Sequence, residues 1–146
     1  MIQRIQTIFL LLAGAAAFAL FAVPFAGVSA PVPNSVMLAD AQYSVQDNIA
    51  LTILYVVAGL LPLIGIFLYQ NRTSQLLVSR IALIGNIIGA VLAVVLFMQE
   101  SPQIGDKQVT DGFGAALPLL AIIFLIFAQR NIRKDQAIVS SMDRLR

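Results

Sequence analysis

The chain contains no cysteine and no histidine, and charged residues fill only 11% of its 146 positions. Without cysteine there is no disulfide framework and no thiolate chemistry. Without histidine the commonest general base, proton relay and metal ligand is missing, and zinc sites built from Cys and His are excluded. An ordinary soluble domain carries about 25% charged residues, whereas here 60% of positions are hydrophobic and the mean hydropathy is +0.92. That is membrane composition. The net charge of +2 is not gathered into an aromatic-interleaved basic patch, so no nucleic-acid partner is expected.

Four long apolar runs are present, and a bilayer-spanning helix needs roughly 20 such residues. The sequence therefore predicts an all-α, four-transmembrane-helix bundle forming one integral membrane domain, with spans near 8–28, 49–69, 79–98 and 113–128 and a tail over 129–146. A closed β-barrel would instead show alternating segments of about 10 residues. Arg4, Arg72, Arg80, Arg130, Arg133, Lys134, Arg144 and Arg146 fall on one side of these spans and only Lys107 on the other. By the positive-inside rule both termini are expected in the cytoplasm. The first run, ending "GVSAPVP", imitates a secretory signal, but its apolar stretch exceeds the usual 7–15 residues and Pro31 would follow the cut, so it is read as a span.

The connection over 29–48 begins with Pro31, Pro33 and Asn34 and reads as a turn followed by a cap; "QESPQIGDKQVTDG" reads as a mobile turn. Its acids lack the dense ligand spacing of a calcium loop. "GFG" at Gly112–Gly114 fits entry into the fourth helix, and the glycosylation sequon at Asn71 falls on the inner side, where it would go unused.

Helices in lipid associate through small residues and interhelical hydrogen bonds. Gly85 and Gly89 supply a small-xxx-small pair flanking Asn86, and Tyr55 stands as a hydrogen-bond partner for that amide. Asn86 is read mainly as helix glue, with a pocket contact as the alternative. Pro24, Pro62 and Pro118 fall within or near three spans, where proline removes a backbone hydrogen bond. The run centres carry no ionisable residue, which argues against proton pumps and charged-ligand channels. No catalytic residue, cofactor or metal site is expected.

In "RNIRKDQAIVSSMDRLR", Ile132, Ile138, Val139, Met142 and Leu145 recur at helical spacing among cations. The tail is thus expected to form a short amphipathic cytoplasmic helix, with Arg130, Arg133, Lys134 and Arg144 meeting anionic lipid headgroups or a partner. The start "MIQRIQTIFLLLA" and this end together resemble a family of small bacterial four-pass inner-membrane proteins catalogued as a domain of unknown function. The resemblance implies a four-helix membrane protein, and it brings no catalytic residues. Both motifs fall on the same side, so Arg4 is expected to pair with Asp135 or Asp143 as an inner-face lock.

These features lead to two expectations. The first is a non-enzymatic scaffold or accessory subunit in the bilayer, in contact with other membrane subunits. The second is a small transporter or channel for a neutral or lipid-like solute.

Overall fold

The computed structural model describes residues 2–33 and 35–143, and side chains from Ile5 to Ser141 other than those of Asn34 and Asp111. It is a mostly helical four-helix bundle: α1 (Ile2–Ala19), α2 (Ile49–Phe67), α3 (Arg72–Ile104) and α4 (Leu117–Asp143). Three stretches, Ile49–Phe67, Arg72–Ile104 and Phe113–Ser141, are long and apolar enough to cross a membrane, and Ile5–Ala19 is a shorter apolar helix. Each helix packs on its neighbours in a ring, with α1 closing against α4. Phe9 in the middle of α1 meets Phe124 and Phe127 in the first half of α4, with ring centroids 6.4 and 5.4 Å apart, and beyond the end of α1 the Pro24 carbonyl accepts from the Gly114 amide just before α4. The two helices are therefore antiparallel, and the start of α1 and the end of α4 lie at one end of the bundle.

Helix α3 is built inside out. Its buried positions Gln75, Ser79, Ala82, Asn86, Gly89 and Ala93 are small or polar and recur at alternating spacings of four and three. Ile84, Ile88, Val91 and Val94 on the opposite flank are exposed. In water this arrangement would waste the hydrophobic effect. In lipid, where an aliphatic flank is already solvated, small and polar residues are what bring helices together.

The first expected span reached residue 28, but α1 stops at Ala19. Pro24 lies beyond the helix, and Ala26–Val28 forms strand β1 instead. This strand pairs antiparallel with β2 (Gln42–Tyr43) on one side and β3 (Val109–Asp111) on the other, giving a three-stranded sheet in the order β2-β1-β3. The all-α expectation is corrected to that extent, and the supposed mobile turn contributes a strand. Strands of two or three residues lie below the length at which alternation becomes legible in sequence. Glycine positions the third strand: the Gly112 and Gly114 amides donate to the Phe25 and Pro24 carbonyls at 3.0 and 3.1 Å. A Cβ at either glycine would overlap the Pro24 carbonyl oxygen.

Helix α3 extends beyond the expected 79–98 at both ends. At its start the Asn71 side chain accepts from the Ser74 amide at 3.1 Å, so the sequon asparagine is a helix cap. Near its end Pro102 cannot donate to the Met98 carbonyl, and the Ser101 hydroxyl donates there instead at 2.9 Å. Pro118 occupies the first turn of α4, where no amide donor is needed, leaving Pro62 in α2 as the proline inside the central part of an expected span.

The expected separate C-terminal helix is also corrected. Helix α4 runs unbroken from Leu117 to Asp143. No glycine or proline follows Pro118 to stop it, and Ile132 and Asp135 remain buried against the bundle well past the end of the apolar run.

Candidate functional site

Two regions of the bundle have features beyond simple helix packing. One is an apolar groove at the sheet-capped end, and the other is a layer of buried polar side chains at the end carrying the termini.

The groove has a volume of about 370 Å³. Ala90, Ala93, Val94 and Phe97 of α3 form one wall, and Pro118 and Leu119 of α4 the other. Phe25 and Tyr43 reach it from the sheet. The two belong to an aromatic cluster: Phe25 lies 5.5 Å from Tyr43 and 6.1 Å from Tyr55, and Tyr43 lies 5.5 Å from Phe97, between ring centroids. The Tyr43 hydroxyl, the polar tip of this cluster, donates to the Ala93 carbonyl at 2.8 Å. Burial, followed by the nearby Asp47 charge, raises the Tyr43 phenol above its ordinary value, so it stays protonated and keeps donating. Val94 and Leu119 at the rim are both 59% exposed and continue the aliphatic flanks of their helices. The groove thus opens sideways onto the surface that faces lipid.

The connection over 29–48 clamps the capped end. Ser35 donates to Glu100 at the end of α3, Lys107 donates to the Pro31 carbonyl at 2.6 Å, and Gln46 donates to the Phe21 carbonyl at 2.8 Å. Ser44 N–H donates to Asp47 at 2.6 Å just before α2. Burial raises the Asp47 carboxyl above its usual value, the Ser44 hydrogen bonds oppose that, and Asp40 adds a smaller upward push.

Asn86 is fully buried, as expected, but its side-chain amide donates to the Ala82 carbonyl of its own helix at 3.0 Å. Tyr55 is fully buried across from it and does not bond to it; its ring packs on Gly89, where an added Cβ would lie 2.8 Å from Cζ. Gly85 faces Ala58 of α2, so both glycines serve the α2–α3 contact. Asn86 Oδ1 and the Tyr55 hydroxyl have no hydrogen-bond partner among the described residues.

At the opposite end Asp135, one of the acids expected in the inner-face lock, pairs with Arg72: its Oδ2 lies 3.0 Å from Arg72 Nε, tying α4 to the start of α3. Arg72 occupies the first turn of a helix whose start lies beside α4, a placement that spacing along the sequence does not reveal. The Arg4 and Asp143 side chains and all of Arg144 lie outside the described residues. Arg130, Arg133 and Lys134 are exposed. Gln6, Gln75 and Gln129, which sequence reasoning left out as pocket residues, are buried here beside Ser79. Gln75 Nε2 donates to the Gly65 carbonyl at 3.0 Å and Gln129 Nε2 to the Ser79 carbonyl at 3.1 Å, so α3 is stapled to α2 and to α4. The available signal was three glutamines near the ends of apolar runs, each at a position that helical spacing turns inward.

The described residues include no group of His, Cys, Asp or Glu able to hold a metal ion. Comparison with curated proteins and with solved structures gave no match. The family described as domain of unknown function (DUF4293) matches residues 2–145, nearly the whole length. This helical, multi-pass membrane chain therefore belongs to the DUF4293 family.

Proposed function

We propose that the protein is a non-enzymatic scaffold or accessory subunit of a membrane assembly in the bacterial inner membrane, with both termini in the cytoplasm. The observation that carries this reading is the division of α3. Its buried polar side chains Gln75, Ser79 and Asn86 face into the bundle, while the outer flank from Ile81 to Met98 offers an aliphatic surface to lipid or to another subunit. The orientation is supported by the cations: Arg72, Arg80, Arg130, Arg133 and Lys134 lie toward the end that carries the termini, and Lys107 lies at the capped end. Exposed Arg130, Arg133 and Lys134 suit anionic headgroups on that side.

The test is crosslinking in native membranes followed by gentle solubilisation of the tagged chain. A defined heteromeric or homomeric species is expected, and a monomer alone would overturn the scaffold. Single-cysteine labelling reads orientation without background, since the chain has no cysteine of its own. The groove favours a second reading, a carrier for a lipid-like or other apolar neutral solute, because its lining is apolar and it opens onto the lipid-facing flank. Uptake or exchange by proteoliposomes tests it, and absence of any flux removes it.

A further inference from the structure

The end of the bundle that carries the termini holds more unpartnered polar atoms than helix packing needs. Gln6 is fully buried, and both its Nε2 and its Oε1 lack a hydrogen-bond partner among the described residues. Gln75 Oε1 and Ser79 Oγ, on fully buried side chains, are in the same condition. Leaving a buried polar atom unsatisfied is destabilising, and native structures leave few such atoms.

These atoms belong to one layer. Gln75 is fixed to the Gly65 carbonyl, and Gly65 also lies against Leu10, to which an added Cβ would come within 3.7 Å. Gln6 is one helical turn from Leu10 on the same buried face of α1, on the side toward the termini. Ser79 is one turn along α3 from Gln75, and its carbonyl receives Gln129 from α4. Helices α1, α3 and α4 thus direct amides and a hydroxyl to one level, with the end of α2 beside them. Gln75 stands only about 5 Å along the axis from Arg72, at the start of α3.

The pattern of donors and acceptors selects the ligand. A cation would leave Gln6 Nε2 unanswered, and an anion would oppose Gln6 Oε1 and Gln75 Oε1. The occupant must be neutral and must donate and accept at once. We propose that Gln6, Gln75 and Ser79 form an internal hydration site in which ordered water bridges α1 to α3. A buried water makes about three hydrogen bonds, which matches the amide donor and the oxygens offered here. Such a site lets neighbouring helices stay joined through a replaceable partner, and it brings water into the bundle at the end opposite the apolar groove.

The test is water-edited solid-state NMR of the full chain in lipid bilayers, with glutamine side chains labelled. Magnetisation should pass from water to the Gln6 and Gln75 side-chain amides as readily as to exposed Gln103, and much faster than to the backbone of buried Ala13. Gln6→Leu should abolish the transfer at Gln75, and Ser79→Ala, a smaller change to the packing, should weaken it. Transfer to Gln6 as slow as to Ala13 would overturn the site, as would a direct Gln6–Gln75 side-chain bond. The measurement on the native chain decides this even if the leucine variant fails to fold.

Discussion

The two ends of the bundle close by different physics. At the capped end, Leu20, Phe25, Val28, Leu38, Tyr43, Val45 and Tyr55 form one apolar cluster under a small sheet, and the chain doubles back on itself through backbone hydrogen bonds. At the other end no sheet is present among the described residues, and glutamine amides with an Arg72–Asp135 ion pair hold the helices. Between them a second apolar cluster, Leu10, Ala13, Ala82, Leu125 and Ala128, joins α1, α3 and α4. One end is closed by bulk and shape, so it should be intolerant of added volume. The other is closed by directional polar contacts, so it should respond to changes of charge and hydrogen bonding.

The contrast breaks most sharply at Gly114. Gly114→Val places a branched side chain against the Pro24 carbonyl, and overpacking of this kind costs about 1–3 kcal/mol or more. The expected result is loss of the cap, read as a large fall in thermal stability in detergent and as new protease sensitivity over 29–48. Volume added on the lipid-facing side of α3, as in Val91→Phe, should leave both readouts unchanged.

At the polar end, Asp135→Ala leaves Arg72 half-buried without its partner. Breaking such a pair is costly when the charge is fully desolvated, but both side chains retain some exposure, so about 1–2 kcal/mol is expected. Exchanging the two as Arg72→Asp with Asp135→Arg should recover much of the loss, which a purely steric role would not allow. A smaller effect, about 1 kcal/mol, is expected of Tyr43→Phe, which removes the bond to the Ala93 carbonyl and keeps the ring. Denaturant melts of the purified variants measure both.

The smallest effect is one of pH. Because the Asp47 carboxyl is raised in the folded chain, the folded state binds its proton more tightly than the unfolded state. Its contribution to stability is therefore greatest below the ordinary carboxylate value and declines as pH rises through the raised one. Asp47→Asn should flatten that part of the stability profile. A native profile that instead rises with pH there, and is unchanged by the substitution, would contradict the assignment of burial as the dominant influence.

Much of this was legible from residue order because lipid imposes a simple rule: backbone polar groups must be satisfied within a helix, so long uncharged runs become helices. The four-helix count followed from it. The cap did not, because Ala26, Tyr43 and Thr110 come from three distant segments and their strands are too short to show a period. The polar layer was hidden for a different reason: a glutamine near the end of an apolar run looks like an interfacial residue until its neighbours surround it.

Sequence alone determined that this chain is a multi-pass helical membrane protein with its charges kept out of the centres of its apolar runs, since transfer of side chains to hydrocarbon depends on composition and run length. Only the tertiary structure decided that α1 stops at Ala19, that α4 continues to Asp143 and that Asp135 answers Arg72. Those outcomes depend on which segments meet, and contacts between distant residues are set by packing geometry rather than by any local pattern.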